Sequence, residues 1–360
     1  MRDSRAQKGE AIVDKGSRNS PGGTRALRAD DLERASAIDT ANVGRSRRNF
    51  LAKRLRAAEQ LPEDFVHLAA DADGTLAGFV MARVLRGEFG RDEPVAVLDV
   101  INVDRTRAER GIGQRLLAAL AARLQQRGVR QLYSESDWTN HTLLRFFAAS
   151  GFGLARRVIL ERSVAEPLAE PPETGRAGEP EEPQAAGAEH AQHAGTQPEI
   201  DYGAPVEDYG PLARDRIPTR SMNERDLRAL AAVDERIMGQ NRLAYFQRKL
   251  HEALRDSDVR ISLVAEQDAV PVGFIMARVD LGEFGRVEST AVIDTLGVDP
   301  QYAGHGVGRA LLSQLLGNLA SLRVDRVLTD VAWGQADLLG FLAGCGFAPS
   351  SRLPFVKTLD

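Results

Sequence analysis

The sequence has little of four features that would point to particular classes of protein. It contains a single cysteine, Cys345, which excludes an intramolecular disulfide and a thiolate metal cluster and suits a reducing cytoplasm. No apolar run approaches the roughly 20 residues that cross a bilayer, so no membrane association is expected. The net charge of −4 gives no attraction to nucleic acid. No cluster of His, Cys and carboxylates has the spacing of metal ligands, so no metal is expected.

The chain instead contains one domain written twice. Gly78 to Arg91 reads GFVMARVLRGEFGR, and 195 positions later Gly273 to Arg286 reads GFIMARVDLGEFGR, with three differences in fourteen positions. The same register holds without a gap over Thr24 to Phe152 and Thr219 to Phe347, and we call the two copies, residues 24–162 and 219–360, the first and second repeats. Units of this size exceed the roughly 20–50 residues of a solenoid repeat, and each can bury its own core.

Composition divides the chain into four segments. Residues 1–23 are polar and rich in Gly, Ser and Arg, and we predict a disordered tail. Residues 163–218 are predicted to be an acidic linker, because its Pro-, Glu- and Ala-rich part has almost no large apolar residues. The two predicted domains are 24–162 and 219–360.

Within each repeat the order of elements predicts an α/β fold. An antiparallel hairpin with an Asp73-Gly74 turn precedes the apolar strand Val95 to Val103, and an amphipathic helix and a further strand follow. A short helix then ends at Gly151, and a last strand closes the repeat at Arg162. The prediction is therefore a mixed, mostly antiparallel twisted sheet flanked by helices, present twice.

The most informative unit is a buried strand, a Gly-x-Gly turn and a helix. It reads VLDVINVDRTRAERGIGQRLLAAL in the first repeat and VIDTLGVDPQYAGHGVGRALLSQL in the second. Glycines let backbone approach a ligand, and the first helical turn leaves N–H groups unpaired, which together suit a pyrophosphate. Nearby cationic side chains are Arg110, Arg115, His305 and Arg309. The alternative is that the glycines only make a tight turn.

These two stretches resemble the acetyl-CoA signature of the GCN5-related N-acetyltransferase (GNAT) family. The late "helix, then Gly-Phe" at Gly151-Phe152 and Gly346-Phe347 is a second habit of that family. The resemblance covers about 140 residues in each half. It implies a tandem pair of GNAT-like domains, acetyl-CoA as the acyl donor, and direct transfer to an amine. Duplicated domains of this kind can pack as a pseudo-dimer within the chain.

The resemblance also assigns cofactor-binding residues. It implies that the backbone of each glycine turn holds the pyrophosphate, that the ends of the preceding strands hold the pantetheine arm, and that Asn140 sits where the family has an Asn. For Asn140 the alternative is a helix cap. The implied residues are Ile101, Val103, Arg110, Gly111, Ile112, Gly113, Gln114 and Asn140 in the first repeat, and Leu296, Val298, His305, Gly306, Val307, Gly308 and Arg309 in the second.

Both repeats depart from the family pattern at two places. The Gln or Arg three residues before the first glycine is Ala108 in one repeat and Ala303 in the other. The Tyr that commonly protonates the departing thiolate in this family is Phe147 in one and Leu342 in the other. The missing Tyr leaves the general acid unidentified.

Candidate bases are carboxylates at matching positions of the repeats. Asp99 and Asp294 are charged groups inside apolar strands, where desolvation is expected to raise the pKa of a carboxylate; the alternative is that each accepts structural hydrogen bonds. Glu88 and Glu283 lie in the repeated GEFGR loop, as a base or amine anchor or as partners of Arg91 and Arg286. Glu135 and Asp330 follow the fifth strand and are third candidates.

The predicted function is acetyl-CoA-dependent N-acetyltransfer to an amine, either a small molecule or a protein lysine. A first alternative is an acyl-CoA sensor without turnover, prompted by the missing Tyr. A second is one active domain beside a degenerate structural or interaction domain.

Overall fold

The computed structural model describes residues 23–86, 93–169, 214, 216–255, 260–280 and 290–360. The predicted tail, most of the predicted linker and both copies of the GEFGR loop, with Glu88 and Glu283, lie outside the described residues. The strands are β1 (Thr24–Ala26), β2 (Phe65–Ala72), β3 (Thr75–Leu85), β4 (Val95–Val103), β5 (Gln131–Asp137), β6 (Gly153–Leu154), β7 (Arg157–Ser163), β8 (Thr219–Ser221), β9 (Arg260–Gln267), β10 (Val270–Asp280), β11 (Thr290–Val298), β12 (Arg326–Ala332), β13 (Ala348–Pro349) and β14 (Arg352–Thr358). The α-helices are α1 (Leu32–Val43), α2 (Arg48–Gln60), α3 (Ile112–Gln126), α4 (His141–Ala149), α5 (Leu227–Met238), α6 (Leu243–Arg255), α7 (Val307–Ser321) and α8 (Ala336–Gly344).

The local elements follow the sequence pattern. Strand β4 coincides with the predicted Val95 to Val103. Helix α3 buries one stripe, formed by Ile112, Leu116, Leu117, Leu120 and Leu124. The β2–β3 turn places Asp73 and Gly74 at positive φ, as the Asp-Gly signal predicts. None of the helices that the structure describes combines the length and apolarity needed to span a membrane.

The strands form two mixed seven-stranded sheets with helices on both faces, which confirms the predicted fold class. Their orders are β1-β2-β3-β4-β5-β14-β6 and β13-β7-β12-β11-β10-β9-β8. On one face of each sheet, apolar residues of α3 or α7 form the larger core. On the other face, α1 and α2, or α5 and α6, cover a smaller core. Trp138 and Trp333 are 56% and 60% exposed, so neither belongs to a core.

The two repeats exchange their C-terminal strands. Strand β7, from the first repeat's end, pairs antiparallel with β12 over its whole length, and β14 pairs in the same way with β5. The sequence predicts a strand ending at Arg162 but takes it to close its own repeat. Its partner instead lies 163 positions further along the chain, since Arg326 is opposite Ser163. The pattern of a strand does not encode which edge it joins, and here the exchange makes each sheet a product of both repeats.

In each sheet a β-bulge lies close to the point where the two parallel strands stop pairing. The register between β3 and β4 skips Asp99, and that between β10 and β11 skips Asp294. Parallel pairing of β4 with β5 covers Ala96 and Val97, and that of β11 with β12 ends at Ile293. Beyond these points the two parallel strands separate. A cleft therefore begins beside each bulged aspartate.

Candidate active site

Each glycine turn lies at the start of a helix beside the cleft, and the two glycines of each turn have different roles. Gly111 (φ 67°) and Gly306 (φ 86°) begin α3 and α7 in the left-handed conformation, and no described side chain caps either helix. A Cβ at either position would meet no described atom within 4 Å. Among the described residues no side chain accepts from the first-turn N–H groups, which leaves them available to an anion.

The second glycine of each turn is there for packing. A Cβ on Gly113 would lie 3.1 Å from Phe146 Cε2, and one on Gly308 would lie 3.0 Å from Phe341 Cζ. The rings belong to α4 and α8, which pack against the start of α3 and α7. The tight-turn alternative therefore accounts for this glycine.

The side chains beside the turns are mostly engaged with the protein. Gln114 Nε2 donates to Ser150 Oγ at 2.9 Å. Arg309 donates to the backbone carbonyls of Gly344 and Ala169 at 3.0 and 2.9 Å. His305 Nδ1 lies 3.0 Å from Ala303 O, and the His305 ring is exposed. The Arg110 side chain lies outside the described residues, so the backbone carries the case for an anion site.

The ends of the central strands differ between the repeats. Asp104 N–H bonds to Ala77 O. Because hydrogen-bonded and non-hydrogen-bonded pairs alternate in an antiparallel ladder, the backbone N–H and C=O of Val103 point away from β3 and toward the cleft. There Asn42 Nδ2 donates to Val103 O at 3.0 Å and to Asn102 Oδ1 at 3.0 Å. In the first repeat, therefore, the carbonyl oxygen at the end of β4 already has a hydrogen-bond partner from α1.

The second repeat leaves the matching edge open. Asp299 N–H bonds to Val272 O, so Val298 has the same orientation as its counterpart. Ile237 stands where the first repeat has Asn42, and it has no polar side-chain atom to donate. Gly297 replaces Asn102. Leu296, Gly297 and Val298 all line a cavity.

The bulged aspartates are ion-paired with two cationic side chains in each repeat. Asp99 Oδ2 lies 2.9 Å from Arg83 Nε and 3.4 Å from Arg54 Nε, and its side chain is fully buried. Burial alone would raise the pKa of Asp99, but the two guanidinium groups outweigh it and hold the pKa below its usual range. The expectation of a raised pKa is therefore wrong for Asp99, because the desolvation argument omitted the cations.

In the second repeat a lysine, Lys249, takes the place of Arg54. Asp294 Oδ1 lies 3.1 Å from Arg278 Nε, and Lys249 Nζ is 4.0 Å from Asp294 Oδ2. Lys249 also lies over the ring of Tyr245, with its Nζ 5.6 Å from the ring centroid. All four residues line the cavity.

Glu135 and Asp330 lie inside β5 and β12 rather than after them, and each meets an arginine from an exchanged strand. Arg352 Nε is 2.6 Å from Glu135 Oε1, and Arg157 Nε is 2.8 Å from Asp330 Oδ1. Burial raises the pKa of Asp330 to about 6, with Arg157 opposing the rise and the charge of Glu135 adding to it. A carboxylate with this pKa can accept a proton near neutral pH.

Three other predicted positions have structural roles. Asn140 Oδ1 accepts from Leu143 N–H at 3.1 Å, which is the cap that the sequence left as an alternative. Its counterpart Gln335 makes no such cap and lines the cavity. Phe147 and Leu342, which replace the family Tyr, are 1% and 2% exposed in the cores.

The cavity of about 1150 Å³ joins these features of the second repeat. It contacts the glycine turn, the open edge of β11, Asp294 and Asp330, and the first repeat contributes Arg83, Val97, Glu135 and Arg157 to its wall. Sequence reasoning missed Lys249, Tyr245, Tyr302 and Arg157. Both Lys249 and Arg157 had a readable signal, because their counterparts Arg54 and Arg352 are also cationic.

Each repeat also matches the same protein-family model. The model, described as Acetyltransferase (GNAT) family, covers residues 33–152 and 226–347. The chain belongs to the GNAT family. The matched stretches contain both glycine turns and both splayed strand pairs of this GNAT chain, and the resemblance seen in its sequence is confirmed.

Known proteins similar to this GNAT chain include one curated relative and several structures. The chain is 36% identical over 145 residues to a mycothiol acetyltransferase of Clavibacter sepedonicus, covering 38% of the chain and 45% of that relative, which is less than half its length. A tandem GNAT protein from the clavulanic acid biosynthesis pathway matches with a TM-score of 0.59 at 15% identity, over 94% of the chain and 98% of that protein. A GCN5-related N-acetyltransferase from Sphaerobacter thermophilus matches at 0.54 and 17% identity, over 93% and 95%. At these identities the structures show the shared fold.

Proposed function

We propose that the chain is an acetyl-CoA-dependent N-acetyltransferase and that transfer takes place in the cavity of the second repeat. The observation that carries this proposal is the meeting, in one cavity, of an uncapped glycine turn, an open strand edge and a carboxylate with a pKa of about 6. The family supports acyl transfer in general, and the name of the curated relative agrees with it.

The residues present fit acetyl-CoA. The N–H groups of Gly306 to Arg309 would bind the diphosphate, and the backbone of Leu296 and Val298 would bind the pantetheine arm by strand-like hydrogen bonds. Bound acetyl-CoA supplies the acyl thioester. Of the proposed site residues in the first repeat, Val103 is already engaged by Asn42, which argues for a structural role of that cleft.

Proton transfer is assigned to Asp330. A primary amine must lose a proton to attack a thioester, and the Asp330 carboxylate would accept it at the wall of the cavity. Asp294, with Lys249 and Arg278, would shape the acceptor end. Asp99 and Glu135 would not act as bases: Asp99 is sealed between two arginines, and Glu135 is ion-paired with Arg352. Glu88 and Glu283 stay sequence predictions.

The internal repeat provides a matched test of this proposal. The protein is mixed with acetyl-CoA and a panel of amines, and free thiol is followed, for wild type, Gly306→Glu and Gly111→Glu. Both glycines have positive φ, so the two variants carry similar backbone strain. We expect Gly306→Glu to abolish thiol release and Gly111→Glu to retain most of it.

Two outcomes would contradict the proposal. Saturable CoA binding without thiol release on any amine would indicate a sensor rather than an enzyme. Loss of thiol release in Gly111→Glu, with Gly306→Glu active and both variants folded, would move the active site to the first repeat.

A further inference from the structure

An arginine of the first repeat's last strand reaches into the cavity of the second. Arg157 lies on β7 opposite Ala332 of β12, although it precedes the linker in sequence. Its Nε is 2.8 Å from Asp330 Oδ1, and its Nη2 donates to Asp330 O at 2.7 Å. These contacts hold both the side chain and the backbone of Asp330 from one guanidinium group.

A carboxylate of the first repeat stands beside the same group. Glu135 lines the cavity with Asp330, and its charge acts on the ionisation of Asp330. Glu135 is held in turn by Arg352 of β14, at 2.6 Å. The ion pairs Asp330–Arg157 and Glu135–Arg352 occupy matching positions in the 195-residue register. In each ion pair the acid and the arginine come from different repeats.

We propose that Arg157 is the positioning residue for Asp330, so that the active site of the second repeat is built jointly by both repeats. This inference rests on the proposed function, in which Asp330 accepts the proton. The exchange of β7 is what brings the guanidinium group to the carboxylate, because β7 is the strand paired with β12 on the side away from β11.

The charges around Asp330 predict opposite effects for its two neighbours from the first repeat. The Arg157 cation favours the ionised carboxylate and lowers the pKa of Asp330, whereas the Glu135 anion raises it. Other charged groups line the same cavity from further elements, and Arg278 and Asp294 are paired with each other there. Besides Arg157, Glu135 and Asp330, the described charged residues and histidine that line it are Arg83, Arg216, Asp234, Arg242, Lys249, Arg278, Asp294, His305, Arg309 and Asp337.

The test is the pH dependence of kcat/KM in the full-length chain. With Arg157→Gln we expect the acidic limb of the profile to move up by about one pH unit or more, since loss of an adjacent opposite charge changes a pKa by roughly 1–3 units. With Glu135→Gln we expect a smaller movement in the opposite direction. Arg157→Lys keeps the charge and is expected to restore most of the wild-type profile.

A matched control is available on the same pair of strands. Arg326 and Glu161 form a cross-strand pair at 2.9 Å between β12 and β7, but Arg326 is half exposed and does not line the cavity. Arg326→Gln removes an arginine from the same strand pairing and is expected to leave the profile unchanged. An unchanged profile in a folded Arg157→Gln variant would overturn the proposal. If that variant does not fold, an unshifted profile in Glu135→Gln would overturn the joint construction of the site.

A second readout separates this inference from the proposed function. The carboxyl carbon of Asp330 can be titrated by NMR in protein labelled at aspartate carboxyls, with Asp330→Asn to assign the signal. A higher pKa in Arg157→Gln than in wild type would uphold the contact even if no amine were acetylated. Equal titration in the two proteins would contradict the inference whether or not the enzyme turns over.

Discussion

The two repeats contain matching buried charge clusters, but the residues around the two clusters differ. In the first, Asp99 is sealed by Arg83 and Arg54, and Asn42 caps the strand edge. Buried His67 lies close enough for the charges of Asp99 and Arg54 to act on its pKa.

In the second repeat the matching residues are Asp294, Arg278, Lys249, Ile237 and Ser262, and the cavity lies there. The second repeat lacks the amide that bonds to Val103 O and the buried imidazole, and its strand edge lines the cavity. Under the proposed function, a few cleft residues would decide which of two domains of the same fold binds the cofactor.

The largest expected effect is the loss of folding when the two repeats are separated, because each sheet contains a strand of the other repeat. We expect a chain of residues 216–360 to lose its monomeric fold, since β12 would have a bare edge and β14 would have no β5 to pair with. Size-exclusion chromatography with light scattering and circular dichroism measures this. Co-expression with residues 1–169 is expected to rescue it. A monodisperse, cooperatively melting monomer of 216–360 would contradict the exchange.

The carboxylates at matching positions of β5 and β12 are expected to differ in their effect on turnover. Asp330→Asn should lower kcat by about 10²–10⁴-fold, the usual contribution of a general base, while CoA binding is retained. Glu135→Gln should change kcat less than about tenfold at pH 8, because it acts only on the charge of its neighbour. Equal losses in the two variants, measured by thiol release, would show that the acids share one role.

His67 predicts a pH-dependent difference in stability that belongs to the first repeat. Burial lowers the pKa of His67 from 6.5 to about 4. The unfolded chain therefore binds this proton first as pH falls, and the free energy of unfolding should decrease by up to about 3 kcal/mol between pH 6.5 and 4. His67→Ser, which copies the second repeat, should flatten this part of the curve. Urea unfolding at a series of pH values tests it, and parallel curves for the two proteins would contradict the prediction.

The polar cap on the strand edge can be transferred to the open repeat. Ile237→Asn is expected to weaken CoA binding about five- to tenfold, because one acceptor of the Val298 edge would be occupied and a hydrogen bond contributes about 1 kcal/mol. Ile237 is 42% exposed, so the change should leave the core intact. The reciprocal change, Asn42→Ile, serves as the matched control and should leave the measured affinity unaltered. Calorimetry with CoA measures both, and unchanged binding in Ile237→Asn would contradict the role of the edge.

The smallest difference lies in the first hairpin of each repeat. Gly74 (φ 73°) and Ala269 (φ 62°) occupy the same left-handed position, which costs an alanine roughly 1 kcal/mol. Ala269→Gly should therefore stabilise the chain by a few tenths to about 1 kcal/mol, and Gly74→Ala should destabilise it by a similar amount. Thermal unfolding of both variants provides the measurement. Shifts of the same sign would contradict this explanation.

Much of the fold was readable because its signals are local. The limits of β4, the helix after Gly111 and the Asp73-Gly74 turn depend on residues a few positions apart. The charge state of Asp99 was misjudged because Arg83 and Arg54 approach it from β3 and α2, and no local pattern shows such a contact. Asn140 was correctly weighed as a cap, because a cap is itself a local device.

The sequence by itself determined the duplication, the order of strands and helices in each repeat, and the glycine turns that leave helix N–H groups free. Only the tertiary structure decided that β7 and β14 change places, that Arg157 meets Asp330, and that the cavity lies along the strand edge of the second repeat. Periodicity and turn chemistry act between neighbours along the chain. Strand partners, cavity volume and carboxylate pKa values depend instead on side chains from different elements, up to 173 positions apart for Arg157 and Asp330.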